Sequence, residues 1–329
     1  MIGPGNAEGS KLYQRLVGTR FGLQMPPTGA LNDEDVETIR RWIDEGAEWP
    51  DDVSGETPAP ILDAATTALM TAALYGDAAK VERSLKAGAN PNGAQGGGVT
   101  PLMLAAPDRD KMKRLLDAGA DPNQRVSRKV WYTNYNFDQS GVDEAGATPF
   151  WRAAYGADVD AMKLLVSYGA DPAIPTIKPP ERPEIGDVGR RESKDVSGLP
   201  PIPTAGPGVP ALLAAAGVGY GEGFAGNSHR HAPGGMLAAV RYLVEELGAD
   251  VNARDHEGST AVHHAASRGD TEMIRYLVGK GADVKAVNRE GQTTIDLANG
   301  PVQRVQPWPE TIKYLESLGA KNNHRCMSC

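Results

Sequence analysis

Thr100-Pro101-Leu102-Met103-Leu104-Ala105-Ala106, with Gly119-Ala120-Asp121-Pro122-Asn123 thirteen residues further on, is the pair of phrases that decides the fold. The second phrase returns as Gly88-Ala89-Asn90-Pro91-Asn92, Gly169-Ala170-Asp171-Pro172, Gly248-Ala249-Asp250-Val251-Asn252 and Gly281-Ala282-Asp283-Val284. It ends as Gly319-Ala320-Lys321-Asn322. The first returns as Thr67-Ala68-Leu69-Met70-Thr71-Ala72-Ala73, Thr148-Pro149-Phe150-Trp151-Arg152-Ala153-Ala154 and Val209-Pro210-Ala211-Leu212-Leu213-Ala214-Ala215. Thr260-Ala261-Val262-His263-His264-Ala265-Ala266 and Thr293-Thr294-Ile295-Asp296-Leu297-Ala298 complete the set. The glycines of the second phrase stand 31, 50, 79, 33 and 38 residues apart. Two phrases at one period, stretched in places by insertions, describe stacked copies of one structural unit.

The phrases have physical roles. Thr caps a first helix, and Pro at its first position has no amide hydrogen to leave unpaired. The Ala pair lets neighbouring copies pack closely. In the second helix Met273, Ile274, Leu277 and Val278 form an apolar stripe at helical spacing. Gly281 then supplies the left-handed turn that ends it. This pattern resembles ankyrin repeats, whose first helix opens Thr-Pro-Leu-His-x-Ala-Ala and whose second ends Leu-Leu-x-x-Gly-Ala-Asp. The resemblance implies a mostly α fold, an ankyrin-repeat solenoid with insertions, in six copies over about residues 64–323. It implies a protein partner, met by the concave face and the loops. His263 stands where such a repeat bonds its ring into a neighbouring loop. The last copy, broken by Gly300-Pro301 and carrying Lys321 for Asp, suits a cap.

Three insertions interrupt the period. The first, 126–147, carries Trp131, Tyr132, Tyr135 and Phe137. Aromatics concentrate at interaction hot spots, so these four are candidates for partner binding; the other reading folds them back over the repeats. The second, 177–208, has seven prolines and no aromatic residue, and reads as a flexible or polyproline loop. The third, 217–235, lies between the two helices of the fourth repeat and holds His229 and His231, read as bystanders rather than metal ligands. His256 lies in a turn and reads as solvated. The charge of −8 disfavours nucleic acid, which needs a basic footprint. No apolar run approaches the ~18 residues of a membrane span. Met1-Ile2-Gly3-Pro4 lacks the features of a signal peptide. No nucleophile–base set or carboxylate pair stands out, so no enzyme is expected.

Residues 1–55 contain no repeat phrase. Ser10 can cap a helix to Val17, with Leu12, Tyr13 and Leu16 as its apolar side. Asn32 can cap a second, whose Asp33, Glu34 and Asp35 suit the positive end of the helix dipole. Helix, Met25-Pro26-Pro27, then a helix ending Trp42-Ile43-Asp44-Glu45-Gly46-Ala47 resembles the C-terminal half of a planctomycete-type c-type cytochrome domain. That resemblance implies Met25 as a haem axial ligand. The Cys-x-x-Cys-His that such a domain opens with is missing before it. Cys326-Met327-Ser328-Cys329 would lack only a following His to be such a motif. Cys326 and Cys329 are therefore read as truncated haem attachment, with an inert tail, a redox pair or zinc as alternatives.

The domain expectation is a cytochrome-like half at 1–55, repeats at 56–323 and a tail at 324–329. Under it the chain is a fragment of a longer, periplasmic or exported c-type cytochrome. Haem c is then expected in the parent and no cofactor in this chain alone. The array would be an interaction scaffold in an electron-transfer protein. The alternative is a stand-alone, cytoplasmic ankyrin binding module without haem.

Overall fold

The structure is a computed structural model of the 329-residue chain. It describes residues 2–18, 24–25, 30–47, 61–106, 108–128, 142, 144–180, 195–219, 233–300 and 306–325. The chain divides into two compact units, Met1–Ala59 and Pro60–Cys329.

The first unit holds α1 (Lys11–Val17) and α2 (Asp33–Asp44). Asn32 caps α2 as its sequence suggests, accepting from the Asp35 amide at 2.8 Å. Ser10 does not cap α1. Its hydroxyl accepts instead from the Gly3 amide at 2.6 Å, because the chain before it turns back within reach. Ala7, Leu16 and Ile43 form the buried centre.

The second unit is a row of six helix pairs among the described residues. Repeat 1 is α3 (Ala64–Tyr75) and α4 (Ala78–Lys86), and repeat 2 is α5 (Pro101–Ala105) and α6 (Arg109–Asp117). Repeat 3 is α7 (Pro149–Tyr155) and α8 (Val159–Ser167). Repeat 4 is α9 (Ala211–Ala215) and α10 (Pro233–Arg241), the latter continued by a π-helical turn, Tyr242–Glu246. Repeats 5 and 6 are α11 (Ala261–Ser267) with α12 (Thr271–Gly279), and α13 (Thr294–Ala298) with α14 (Pro309–Ser317). The first helices pack on one another, as do the second, and their buried faces merge into one core from Leu69 to Ala320. Gly281 turns at φ 93°, the left-handed conformation the second phrase needs.

Capping follows the phrase except at two sites. The hydroxyls of Thr148 and Thr293 accept from the amides three residues on, at 3.1 and 3.2 Å. In repeat 1 the helix starts earlier than Thr67, because Asp63 caps it, accepting from the Thr66 amide at 2.9 Å. In repeat 4 Val209 stands in the Thr position, and α9 begins after Pro210 with no capping side chain.

The π turn has a countable cause. Val240-Arg241-Tyr242-Leu243 and Ile274-Arg275-Tyr276-Leu277 are equivalent, yet Gly248 lies six residues after Tyr242 and Gly281 only five after Tyr276. A π turn stores one extra residue in a helix without breaking it.

Candidate partner-binding surface

Between repeats the chain makes short hairpins, closed by single bridges such as Gln95 to Val99, Arg254 to Thr260 and Val287 to Thr293. Backbone bonds tie the tips of repeats 2 and 3, 3 and 4, and 5 and 6. The Ser127 amide donates to the Gly97 carbonyl at 2.8 Å, Ile177 to Ala145 at 2.7 Å and Arg289 to Glu257 at 2.8 Å. Below the tips runs a ladder of asparagines. Asn123 donates to the Gly169 carbonyl at 2.9 Å and accepts from the Asp171 amide at 2.8 Å. Asn92 and Asn252 make the same pair of bonds to repeats 2 and 5. The hairpins are thus held in a fixed row, with exposed side chains such as Glu257 and Glu290 at their ends.

The first two insertions grow from these tips. The first leaves the hairpin of repeat 3, whose base is closed by Val126 donating to Ala147 at 3.0 Å and Gly146 to Val126 at 2.7 Å. Trp131, Tyr132, Tyr135 and Phe137 lie outside the described residues. The second lengthens the hairpin of repeat 4, and its returning arm, 195–208, is ordered against the array. At its base the Lys178 amide donates to Gly206 at 2.8 Å and the Gly208 amide to Thr176 at 2.8 Å. Further out, Arg289 in the tip of repeat 6 donates through Nη2 to the Pro200 carbonyl at 2.6 Å and pairs with Asp195. Described residues 195–208 are therefore an anchored arm rather than a free polyproline loop. The anchor is a side chain 94 positions away from its partner.

The opposite face, made by the second helices, is stitched along its length. Lys163 lies over the ring of Tyr242 at 5.1 Å, Arg241 over Tyr276 at 4.5 Å and Arg275 over Tyr314 at 3.9 Å. Each pair joins one repeat to the next through a cation–π contact. Polar side chains on this face are thus largely engaged with their own neighbours.

Histidines and arginines of the core take structural positions. His263 accepts at Nδ1 from the Thr260 amide, 3.2 Å, and its Nε2 lies 3.4 Å from the Gln292 carbonyl in the next hairpin. This is the place its phrase assigns it. His264, unassigned by the phrase, is buried with its Nε2 3.0 Å from Asp255 Oδ2. The two amides of Glu257 and Ser259 hold the other oxygen of Asp255 at 3.0 and 2.9 Å. His256 is half-buried rather than solvated, because its turn is covered by Arg289, whose Nε donates to the His256 carbonyl at 2.9 Å. Arg268 is buried between repeats 4 and 5. It donates to the carbonyls of Ala216 and His264 and pairs with Asp270 at 3.0 Å. An apolar cleft of ≈ 270 Å³ opens between repeats 2 and 3, walled by Leu102, Met103, Met112, Pro149 and Ala153. Arg109 on α6 is paired with Asp158, a wall residue of the cleft.

Met25 is half-buried, and its amide closes the end of α1 by donating to the Arg15 carbonyl at 2.8 Å. That bond satisfies one of the carbonyls a helix end leaves open. The unit Met1–Ala59 contains neither histidine nor cysteine. A c-type haem needs two thioether anchors and a proximal imidazole, so the donor set around Met25 does not fit that group. Cys326, Cys329, His229 and His231 lie outside the described residues, and no metal-binding cluster occurs among the described ones.

Residues 97–126 and 145–177 match the family model for the ankyrin repeat, and 228–278 match that for ankyrin repeats in many copies. The solenoid is built of ankyrin repeats. Alpha-latrocrustotoxin-Lt1a of Latrodectus tredecimguttatus is 30% identical over 54% of this chain and 9% of its own length. Protein phosphatase 1 regulatory subunit 12A of Rattus norvegicus is 35% identical over 29% of this chain and 8% of its own. Protein phosphatase 1 regulatory subunit 27 of Homo sapiens is 41% identical over 21% of this chain and 44% of its own. The chain thus spans less than half of each of these relatives. Among solved structures, the ankyrin repeat domain of Bcl-3 aligns with TM-score 0.45 at 23% identity, covering 75% of this chain and 81% of that one. The human ASB11 ankyrin repeat domain gives 0.46 at 20% identity over the same shares. No helix among the described residues is long and apolar enough to cross a membrane.

Proposed function

We propose that the chain is a protein-binding scaffold whose partner docks on the row of hairpin tips. The observation that carries this is the backbone linkage among the tips of repeats 2 to 4 and between those of repeats 5 and 6, with the asparagine ladder beneath it. It presents side chains from successive repeats on a rigid frame, so little ordering is left to oppose binding. The tips also receive two of the three insertions, and the opposite face is engaged in its own cation–π contacts. Two relatives are by name regulatory subunits, which suits a module that binds rather than reacts. The scaffold is tested with a photo-crosslinking residue placed at Glu257 or Glu290 on the tips, and at Glu272 on α12 as control. A single partner crosslinked in source cells from the tip positions and not from Glu272 is expected. Equal labelling from all three would overturn the assignment.

A finer placement, in a longer and exported c-type cytochrome, is supported by the order of helix, Met25-Pro26-Pro27 and helix in the first unit. Met25 would then be one axial ligand, and the attachment cysteines and proximal histidine would come from outside that unit. The visible spectrum of the native polypeptide after denaturation and reduction tests it. Retained haem bands are expected from such a parent, and a colourless native polypeptide removes the reading.

A further inference from the structure

Val196 and Leu199 rest on equivalent glycines of adjacent hairpins. A Cβ on Gly291, at the tip of repeat 6, would lie 2.8 Å from Val196 Cγ2. A Cβ on Gly258, at the tip of repeat 5, would lie 2.9 Å from Leu199 Cδ1. Both glycines have φ near +80°. The spacing has a simple origin. Neighbouring repeats are separated by roughly the 8–10 Å of packed helices, and three residues of extended chain cover about 10 Å. A straight strand would turn side chains three apart to opposite faces; the bend at Gly198, φ 69°, instead brings Val196 and Leu199 onto the same row of glycines.

Polar contacts fix the direction and register of this segment. The Val196 amide donates to the Arg289 carbonyl at 3.2 Å, and Arg289 reaches back to Asp195, Leu199 and Pro200. Asp195 is further set by the Ser197 amide and hydroxyl at 2.9 and 2.6 Å. These bonds and Arg289 draw its pKa down to about 2, so it is a carboxylate at any ordinary pH. Val196 also repeats what an adjoining hairpin does elsewhere. Ile177 likewise lies on Gly146 and donates to Ala145, the carbonyl just before that glycine, one place nearer than Arg289 stands to Gly291. The tips thus accept an added strand, as exposed sheet edges do. Yet the arm is lightly held here. No residue from 195 to 200 is buried, and Val196 is 53% exposed.

We propose that residues 195–200 are a built-in pseudo-ligand, displaced by a partner's peptide that bends as the arm does at Gly198 and places a carboxylate on Arg289 and apolar side chains, three apart, on Gly291 and Gly258. This deepens the scaffold reading and rests on it. The partner sequence it fits is acidic, apolar, small or polar, Gly, apolar, Pro, in the order of Asp195 to Pro200, with Gly at the position whose φ is 69°. A tethered segment competes at an effective concentration in the millimolar range, so free peptide binds the native chain weakly until the arm is loosened.

The test uses a fluorescent peptide of residues 195–203 and the full chain, read by anisotropy. In the D195N/V196S/L199S chain the arm is weakened, and the peptide is expected to bind on the order of tenfold or more tighter than to the native chain. Adding R289Q is expected to reverse that gain. A peptide with Asn for its Asp is expected to fail on either chain. Hydrogen exchange of α11 to α14 identifies any variant whose array is disturbed, and R289K, which keeps charge but loses the fork, gives a second reading with intermediate affinity. Equal binding to native and loosened chains, or indifference to Arg289, overturns the proposal. Crosslinking from Glu257 and Glu290 alongside such a result would leave the scaffold standing and remove only the pseudo-ligand.

Discussion

His263 is held neutral in the folded chain. Burial is the main cause, with the neighbouring His264 and Arg254 adding to it against the opposing pull of Asp255, and its pKa falls to about 4 from 6.5. The unfolded chain therefore binds a proton that the folded chain refuses between these values. Stability is full above about pH 6.5 and is lost as pH falls towards 4, by on the order of 3 kcal/mol. His263→Gln should flatten the denaturation midpoint against pH across that window; an unchanged slope would assign the acid sensitivity elsewhere. Arg268 makes the opposite kind of prediction. Its removal leaves Asp270 and the carbonyls of Ala216 and His264 without their buried donor. Arg268→Ala should cost about 3–5 kcal/mol in urea denaturation, as for other broken buried pairs, and a loss under 1 kcal/mol would show the guanidinium to be dispensable. The place of His263 was legible because a phrase carries it. Arg268 and Arg289 were not, since their partners lie up to 94 positions away and no local pattern marks them.

At the scale of elements, each asparagine rung adds two hydrogen bonds across a repeat junction. Asn123→Ala should lower stability by about 1–2 kcal/mol, since each net bond contributes roughly 0.5–1.5. Two junctions lack the rung: Ala173 and Lys285 occupy the asparagine position. At Lys285 the local turn is already formed, its amide donating to Asp283 Oδ1 at 2.8 Å. Lys285→Asn should therefore reach the Gly319 carbonyl and raise the melting temperature by a few degrees, as about 1 kcal/mol does in a chain of this size. A lowered melting temperature would mean that the last repeat is set differently. Helix ends, glycine turns and caps were readable because they are local chemistry. The exceptions are also local: Asp63 is a stronger cap than Thr67, and the π turn follows from one extra residue before Gly248. What the tips do with their insertions was not readable, because proline content describes stiffness and says nothing of what a segment leans on.

The helical core of the array is close to one-dimensional, each helix pair packing on its neighbours, so position along the row decides what a core mutation does. Leu213 in α9 and Leu315 in α14 are both fully buried, yet one sits in the fourth repeat and the other in the last. Each truncation to Ala removes about 2–5 kcal/mol of packing. In the last repeat that loss has a single interface to act on. Leu315→Ala should raise hydrogen exchange in 294–317 and leave α5 to α8 protected. In repeat 4 the same loss weakens two interfaces at once, one that lacks an asparagine rung at Ala173 and one that holds Arg268 as its buried link. Leu213→Ala should therefore split the array, so that α11 to α14 open separately from α3 to α8 as denaturant rises. Hydrogen exchange resolved by peptide mass reads both variants in one experiment. If Leu213→Ala and Leu315→Ala speed exchange evenly over the whole array, the repeats are coupled more tightly than nearest-neighbour stacking allows. The arm at 195–200 would then carry that coupling, because it links the hairpin of repeat 4 directly to repeat 6.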